Sequence, residues 1–179
     1  MKKIIYVVFF SFCLFASSLE DTYAYFTKEQ SAQRLDDTHI LYTITYDFGS
    51  QRSDFLMPAL ALRSSEFNRE ATTLTYQLYN GDEVFSGGSA TGIVLSKASI
   101  KGQNYFIPRG VAKRFVFVSL LTLPNKDTDM SNLRLHVTNL PFEMISTKQS
   151  LKGQLNPSEL KYYATPAIDE KTGIKVIAK

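Results

Sequence analysis

The sequence predicts an all-β sandwich of about eight or nine strands, with one short helix near the C-terminus. Two observations carry the strands. Apolar residues recur at alternate positions in several segments, the spacing that turns one face of a strand toward a core. The segments are separated by turn signals: Asn80-Gly81-Asp82, Gly87-Gly88, Lys101-Gly102 and Pro108-Arg109-Gly110. Short strands spaced about 8–15 residues apart indicate a sandwich or barrel rather than βαβ units. A third observation carries the helix. Asn156, Pro157 and Glu159 stand as N-cap, first helical residue and capping-box acid.

Taken in order, residues 1–24 are set apart. Lys2 and Lys3 precede an apolar run over residues 4–16, and a polar stretch then ends in Thr22-Tyr23-Ala24. Positive charge, apolar core and small residues in that order mark an export signal. As a helix the run would rise roughly 20 Å, against about 30 Å of bilayer hydrocarbon. It is short for a membrane span and well sized for a signal core. Cleavage after Ala24 is the preferred site and cleavage after Ser18 the alternative. Cys13, the only cysteine, lies between Phe12 and Leu14; a lipoprotein signal needs a small residue before its cysteine, so lipid anchoring is not expected. The mature chain then has neither disulfides nor thiol chemistry. The expected location is secreted or at the extracellular surface, with membrane contact only during export; an uncleaved N-terminal anchor is the alternative.

Residues 25–38 read as an N-terminal arm, and 39–166 as the sandwich. In residues 39–48, Ile40, Tyr42, Ile44, Tyr46 and Phe48 share one face. Residues 73–79 and 132–140 alternate in the same way. Residues 114–123 differ, because Phe115 through Val118 is apolar without a break; a strand buried on both faces in mid-sheet reads this way. Shorter candidates are 54–62, 83–86, 91–97, 105–107 and 142–146. The helix is expected over 157–163, with Leu155 and Leu160 stapled across its start. A loosely held tail over 167–179 follows Pro166.

The formal net charge of +3 is unchanged when Lys2, Lys3, Glu20 and Asp21 are removed with the signal, and it is too weak to argue for nucleic acid. There are two histidines, His39 and His136. His136 falls on the polar face of its strand. His39 follows Asp36 and Asp37, and an Asp/His pair can orient a general base or bind a metal. No Gly-x-Ser-x-Gly or His-Glu-x-x-His accompanies it. Asp36/Asp37 and Asp82/Glu83 are paired carboxylates, but neighbours on a strand point to opposite faces, so neither pair converges on one bond.

Three groups are candidates for binding. Asp127, Asp129 and Ser131 offer oxygens at alternate positions, as a calcium loop begins; a polar inter-strand turn is the other reading, since Asn132 and Thr138 replace the loop glycine and the bidentate Glu. Arg109, Lys113 and Arg114 form a basic cluster where anionic glycans or phosphate-rich wall polymers could dock, against a solvated turn. Tyr79, Tyr105, Tyr162 and Tyr163 could stack on sugars, against a place in the core.

The stretch Tyr105-Phe106-Ile107-Pro108-Arg109-Gly110 running into Phe115-Val116-Phe117 resembles bacterial immunoglobulin-like extracellular domains. Together with Leu133-Arg134-Leu135-His136-Val137 and Leu155 to Tyr163 it resembles small secreted proteins of reduced-genome bacteria. That group has no assigned activity, so the resemblance implies no site residues. Ala24-Tyr25-Phe26-Thr27 is similar to the mature start of camelysin-type matrix-fibre subunits, which assemble through an N-terminal strand of a jelly-roll sandwich. The fold expected is therefore immunoglobulin-like or jelly-roll. The role expected is a non-catalytic surface, matrix or adhesion module, binding another protein or a cell-envelope polymer by an edge strand or loop. The alternatives are a hydrolase acting on envelope polysaccharide or peptide, and a self-assembling fibre subunit. No cofactor is expected beyond a structural calcium ion.

Overall fold

The structure is a computed structural model that describes residues 24–64, 72–145, 150–155, 160 and 163–167. Among the described residues, thirteen strands form two sheets. The strands are β1 (Ala24–Arg34), β2 (His39–Ser50), β3 (Asp54–Pro58), β4 (Leu60–Arg63), β5 (Leu74–Asn80), β6 (Glu83–Val84), β7 (Ser89–Ser96), β8 (Ser99–Lys101), β9 (Asn104–Ile107), β10 (Val111–Thr122), β11 (Leu133–Asn139), β12 (Pro141–Ile145) and β13 (Ser150–Gln154). The larger sheet runs β1-β2-β10-β7-β4-β5-β11, with β6 paired to β5; the smaller runs β13-β12-β3-β9-β8. The β4–β5 pair is parallel and the other pairs between named strands are antiparallel.

Alternation places the core. Ile40, Tyr42, Ile44, Tyr46 and Phe48 of β2 are all buried, as are Phe115, Phe117 and Leu121 of β10. The two sheets meet through aromatic rings. Phe48 of the larger sheet packs against Phe55 and Phe142 of the smaller at centroid separations of 5.1 and 5.5 Å. Tyr105 of β9 packs edge-on against Phe115 at 5.7 Å, and its hydroxyl donates to the Val94 carbonyl of β7 at 2.9 Å. A phenol can bury its ring and still satisfy its hydroxyl, so Tyr105 ties one sheet to the other. β10 lies between β2 and β7, in mid-sheet as its apolar run indicates. Its second face is half-buried rather than sealed, at Val116, Val118 and Leu120.

The turns follow their glycines. Gly81, at φ +63°, opens a two-residue connection between β5 and β6, and Gly102, at φ +65°, does the same between β8 and β9. Positive φ at the first turn position alone is the type II′ arrangement, which suits the twist of a hairpin. Gly110, at φ +76°, lets the chain return from β9 into β10, and its N–H donates to the Ser50 carbonyl.

Several expectations need correction. The described residues alone form thirteen strands rather than eight or nine. The segment 54–62 is two strands in different sheets, because the chain crosses at Ala59, whose N–H donates to Gln103 and whose carbonyl accepts from Val94. The arm expected over 25–38 contains β1, paired along β2 from Ala24 opposite Gly49 to Arg34 opposite Ile40. The C-terminal helix over 157–163 is not borne out. Residues 156–159 and 161–162 lie outside the described residues, and the Tyr163 N–H donates to the Leu160 carbonyl. Leu155, Leu160 and Tyr163 are instead drawn into the core, and Tyr163–Thr165 runs beside β11. Val137 N–H donates to Tyr163, Thr165 N–H donates to Leu135, and Leu135 N–H donates to Thr165 Oγ1 at 3.0 Å. Those bonds cover the outer edge of β11. Residues 1–23 of the signal expected over 1–24, and 168–179 of the tail expected over 167–179, also lie outside the described residues. Among the described residues no helix is long and apolar enough to cross a membrane.

Candidate functional site

The candidate surface is built on the face of the larger sheet that points away from the core. On β10 the inward residues Phe115 and Phe117 alternate with outward Val116 and Val118. Directly paired residues share a face, so register extends the pattern across the sheet. Val118 lies between Thr43 of β2 and Ile93 of β7, and Ile93 pairs in turn with Leu60 of β4. Val116 lies between Thr45 and Leu95, and Leu120 between Leu41 and Thr91. Leu60, Leu62, Ile93 and Leu95 are 48, 57, 50 and 47% exposed. Four adjacent strands thus present aliphatic side chains interspersed with threonine. Charge enters at one end of this band, where Asp47 on β2 pairs with Arg114 on β10 and Glu29 of β1 stands opposite Thr45.

That end forms a shallow depression of about 670 Å³, lined by Asp47, Leu95, Lys97, Lys113, Arg114 and Val116 among others. The Arg114 guanidinium grips Asp47 with Nε on Oδ1 at 2.9 Å and Nη2 on Oδ2 at 3.2 Å. Asp47 raises the guanidinium further above its ordinary range. Two of the three basic residues singled out from sequence, Lys113 and Arg114, therefore meet in one place, joined by Lys97. Arg109 is exposed in the turn before β10, where its backbone N–H donates to Asp54 Oδ1 at 2.7 Å.

The tyrosines do not form one platform. Tyr105 is a core residue between the sheets, and Tyr163 packs edge-on against Tyr46 at 5.5 Å. Tyr79 is half-buried on the outward side of β5, 4.8 Å from the His136 ring. Tyr162 lies outside the described residues. Burial, followed by the charge of Arg134, pulls the His136 imidazole below its ordinary pKa.

The Asp36–His39 pair exists, and its role is to shape the β1–β2 connection. One carboxylate oxygen of Asp36 accepts from the N–H groups of Thr38 and His39, each at 2.8 Å. The His39 ring meets the other oxygen at 2.8 Å. Backbone donation from Thr38, then the His39 ring, hold the Asp36 carboxyl down at about 2. Arg34 adds a bond to Asp37 at 2.7 Å. In the 127–131 loop, Asp129 Oδ1 accepts from the N–H and Oγ of Ser131 at 2.9 and 2.7 Å. The Asp127 N–H donates to Asn125 Oδ1 at 3.1 Å. These are local turn bonds, and Met130 anchors the loop in the core. Among the described residues no group of three or more His, Cys, Asp or Glu side chains could hold a metal ion.

The aliphatic band was missed from sequence, although its signal was present. Ile93 and Leu95 alternate with Gly92 and Val94 in a segment apolar on both faces, as Phe115–Val118 is. No protein-family model and no curated protein matches this chain.

Proposed function

We propose that the protein is an exported, non-catalytic binding module, an immunoglobulin-like or jelly-roll sandwich that acts outside the cell. Its partner is another protein or a cell-envelope polymer. The observation that carries this reading is the contrast between the two ends of the larger sheet. The far edge, β11, is covered by Tyr163–Thr165, whereas β1 stands at the other end with pairing on its β2 side only among the described strands. An exposed strand edge is a template for an added strand, and folds usually blunt such edges when they are not used. β1 is 11 residues long, long enough to receive an extended segment of a partner protein. The depression beside Lys97, Lys113 and Arg114 supports a second reading, docking of an anionic envelope polymer.

Proline scanning of β1 tests the edge. Successive N–H groups of an antiparallel strand alternate between the partner strand and the open edge. One of Ser31→Pro and Ala32→Pro therefore removes an edge donor and leaves the β1–β2 ladder intact. The variant that keeps the wild-type melting temperature should bind envelope preparations of the producing cells about tenfold more weakly. Unchanged binding by that variant, with loss on Lys113→Glu, would transfer the role to the basic depression.

A further inference from the structure

We propose that the outward face of the larger sheet is a self-association surface on which two copies of this chain stack face to face. The proposal is independent of the β1 edge, which stacking leaves open. Its centre is aliphatic: Leu60, Ile93 and Val118 form one cross-strand row, flanked by Leu62 and Leu95, which are 57 and 47% exposed. Soluble monomers seldom leave so continuous an apolar area uncovered.

Composition selects the occupant. The outward positions on β2 between Leu41 and Thr45, on β10 between Val116 and Leu120, and on β7 between Thr91 and Leu95 are all uncharged. The rim is mostly neutral and polar, with Ser31 and Gln33 of β1 opposite Thr43 and Leu41, and its one β1 charge, Glu29, lies opposite Thr45. Depletion of charge at the centre with a neutral polar rim is the composition of a protein–protein contact. A sugar platform or a membrane-interface anchor uses aromatic rings, yet on β2 and β10 every aromatic residue points into the core. The Arg114–Asp47 pair is satisfied within the chain, and the charges of Glu29, Lys97 and Lys113 gather at that same end, away from the Leu60, Ile93 and Val118 row. β1, β2, β10 and β7, about 4.8 Å apart over about seven residues each, together with the four residues of β4, give a face of roughly 500 Å² per copy. The total of about 1,000 Å² meets the lower bound for a specific contact. Two twisted sheets can stack in this way, as the halves of a sandwich do.

Sedimentation equilibrium of the purified full chain from about 1 to 200 µM tests the proposal. The expected result is a two-chain mass that Ile93→Lys and Leu62→Lys each convert toward a one-chain mass, weakening association about tenfold or more. Ile100→Lys, a charge placed on the 67% exposed Ile100 of the smaller sheet, should leave the mass unchanged. Should Ile93→Lys fail to fold, Leu62→Lys decides, because Leu62 is more exposed. A one-chain mass for wild type throughout the range overturns the proposal. So does a dimer that persists in both variants, which would place the contact on β1 or the N-terminal segment. A one-chain wild type that co-sediments with phosphatidylglycerol/phosphatidylcholine vesicles would give the face to lipid instead, and would equally overturn it.

Discussion

At Gly92 the rings of Tyr76 and Phe117 close over the backbone of β7, so a Cβ there would lie 2.8 Å from one ring and 3.0 Å from the other. Both rings are fully buried and cannot turn aside. Gly92→Ala should therefore cost about 1–3 kcal/mol, read as a lower urea midpoint with unchanged m-value. Asp36 offers a test by pH. Its carboxyl sits near 2 in the folded chain against 3.8 for an unperturbed one. A depressed acid pKa contributes stability that is present above the unfolded value and disappears as pH falls through the folded one. Wild type should lose that contribution between about pH 4 and 2. Asp36→Asn should be less stable than wild type at neutral pH and fall less steeply across that window, measured by thermal melts at each pH.

At the scale of single elements, the covered edge of β11 depends on a few bonds, and Thr165 supplies one with its hydroxyl. Thr165→Val keeps the shape but leaves the buried Leu135 N–H without that acceptor, at an expected cost of about 1–3 kcal/mol. Faster amide exchange along β11 than along β5 would show that the edge has loosened. The same scale explains what was legible in the sequence. β2, β5 and β11 could be read directly because one face of each meets the core, and burial imposes the alternation. β1, β8 and β13 could not. Glu29, Gln30 and Ser31 are exposed on both sides of β1, and all three residues of β8 are exposed. These strands are held by backbone pairing, which leaves no mark on side-chain pattern. The edge pairing of Tyr163–Thr165 was hidden for a related reason: it depends on β11, some thirty residues upstream, as in the Leu135–Thr165 bond, and no local pattern marks it.

Taken as a whole molecule, the core is rich in tyrosine, and burial pushes the Tyr42, Tyr46 and Tyr76 hydroxyls above the ordinary phenol value of 10.0. A raised acid pKa adds stability below the unfolded value and loses it as pH rises beyond. The protein should therefore keep its melting temperature to about pH 10 and unfold above it, with phenolate absorbance of the buried rings rising together with loss of the strand circular-dichroism signal. Tyr42→Phe should make the alkaline decline shallower. The candidate surface was only half legible at this scale. Lys113 and Arg114 lie one residue apart and were visible as a cluster, whereas Asp47 reaches them only because β2 pairs with β10. The aliphatic band was hidden because sequence records that Ile93, Leu95, Val116 and Val118 are apolar, but not which of two apolar faces the second sheet covers.

The strap formed by Tyr163–Thr165 also sets a clock. A chain that emerges N-terminus first presents β1 and β2 early, and they can pair at once across a four-residue link, 35–38. Tyr163–Thr165 follows every strand of the larger sheet in the chain, so β11 keeps an open margin until those residues have emerged. Whatever attends the nascent chain must shield β11 for that interval, and a ribosome stalled ahead of Tyr163 would hold a sandwich one latch short of closed.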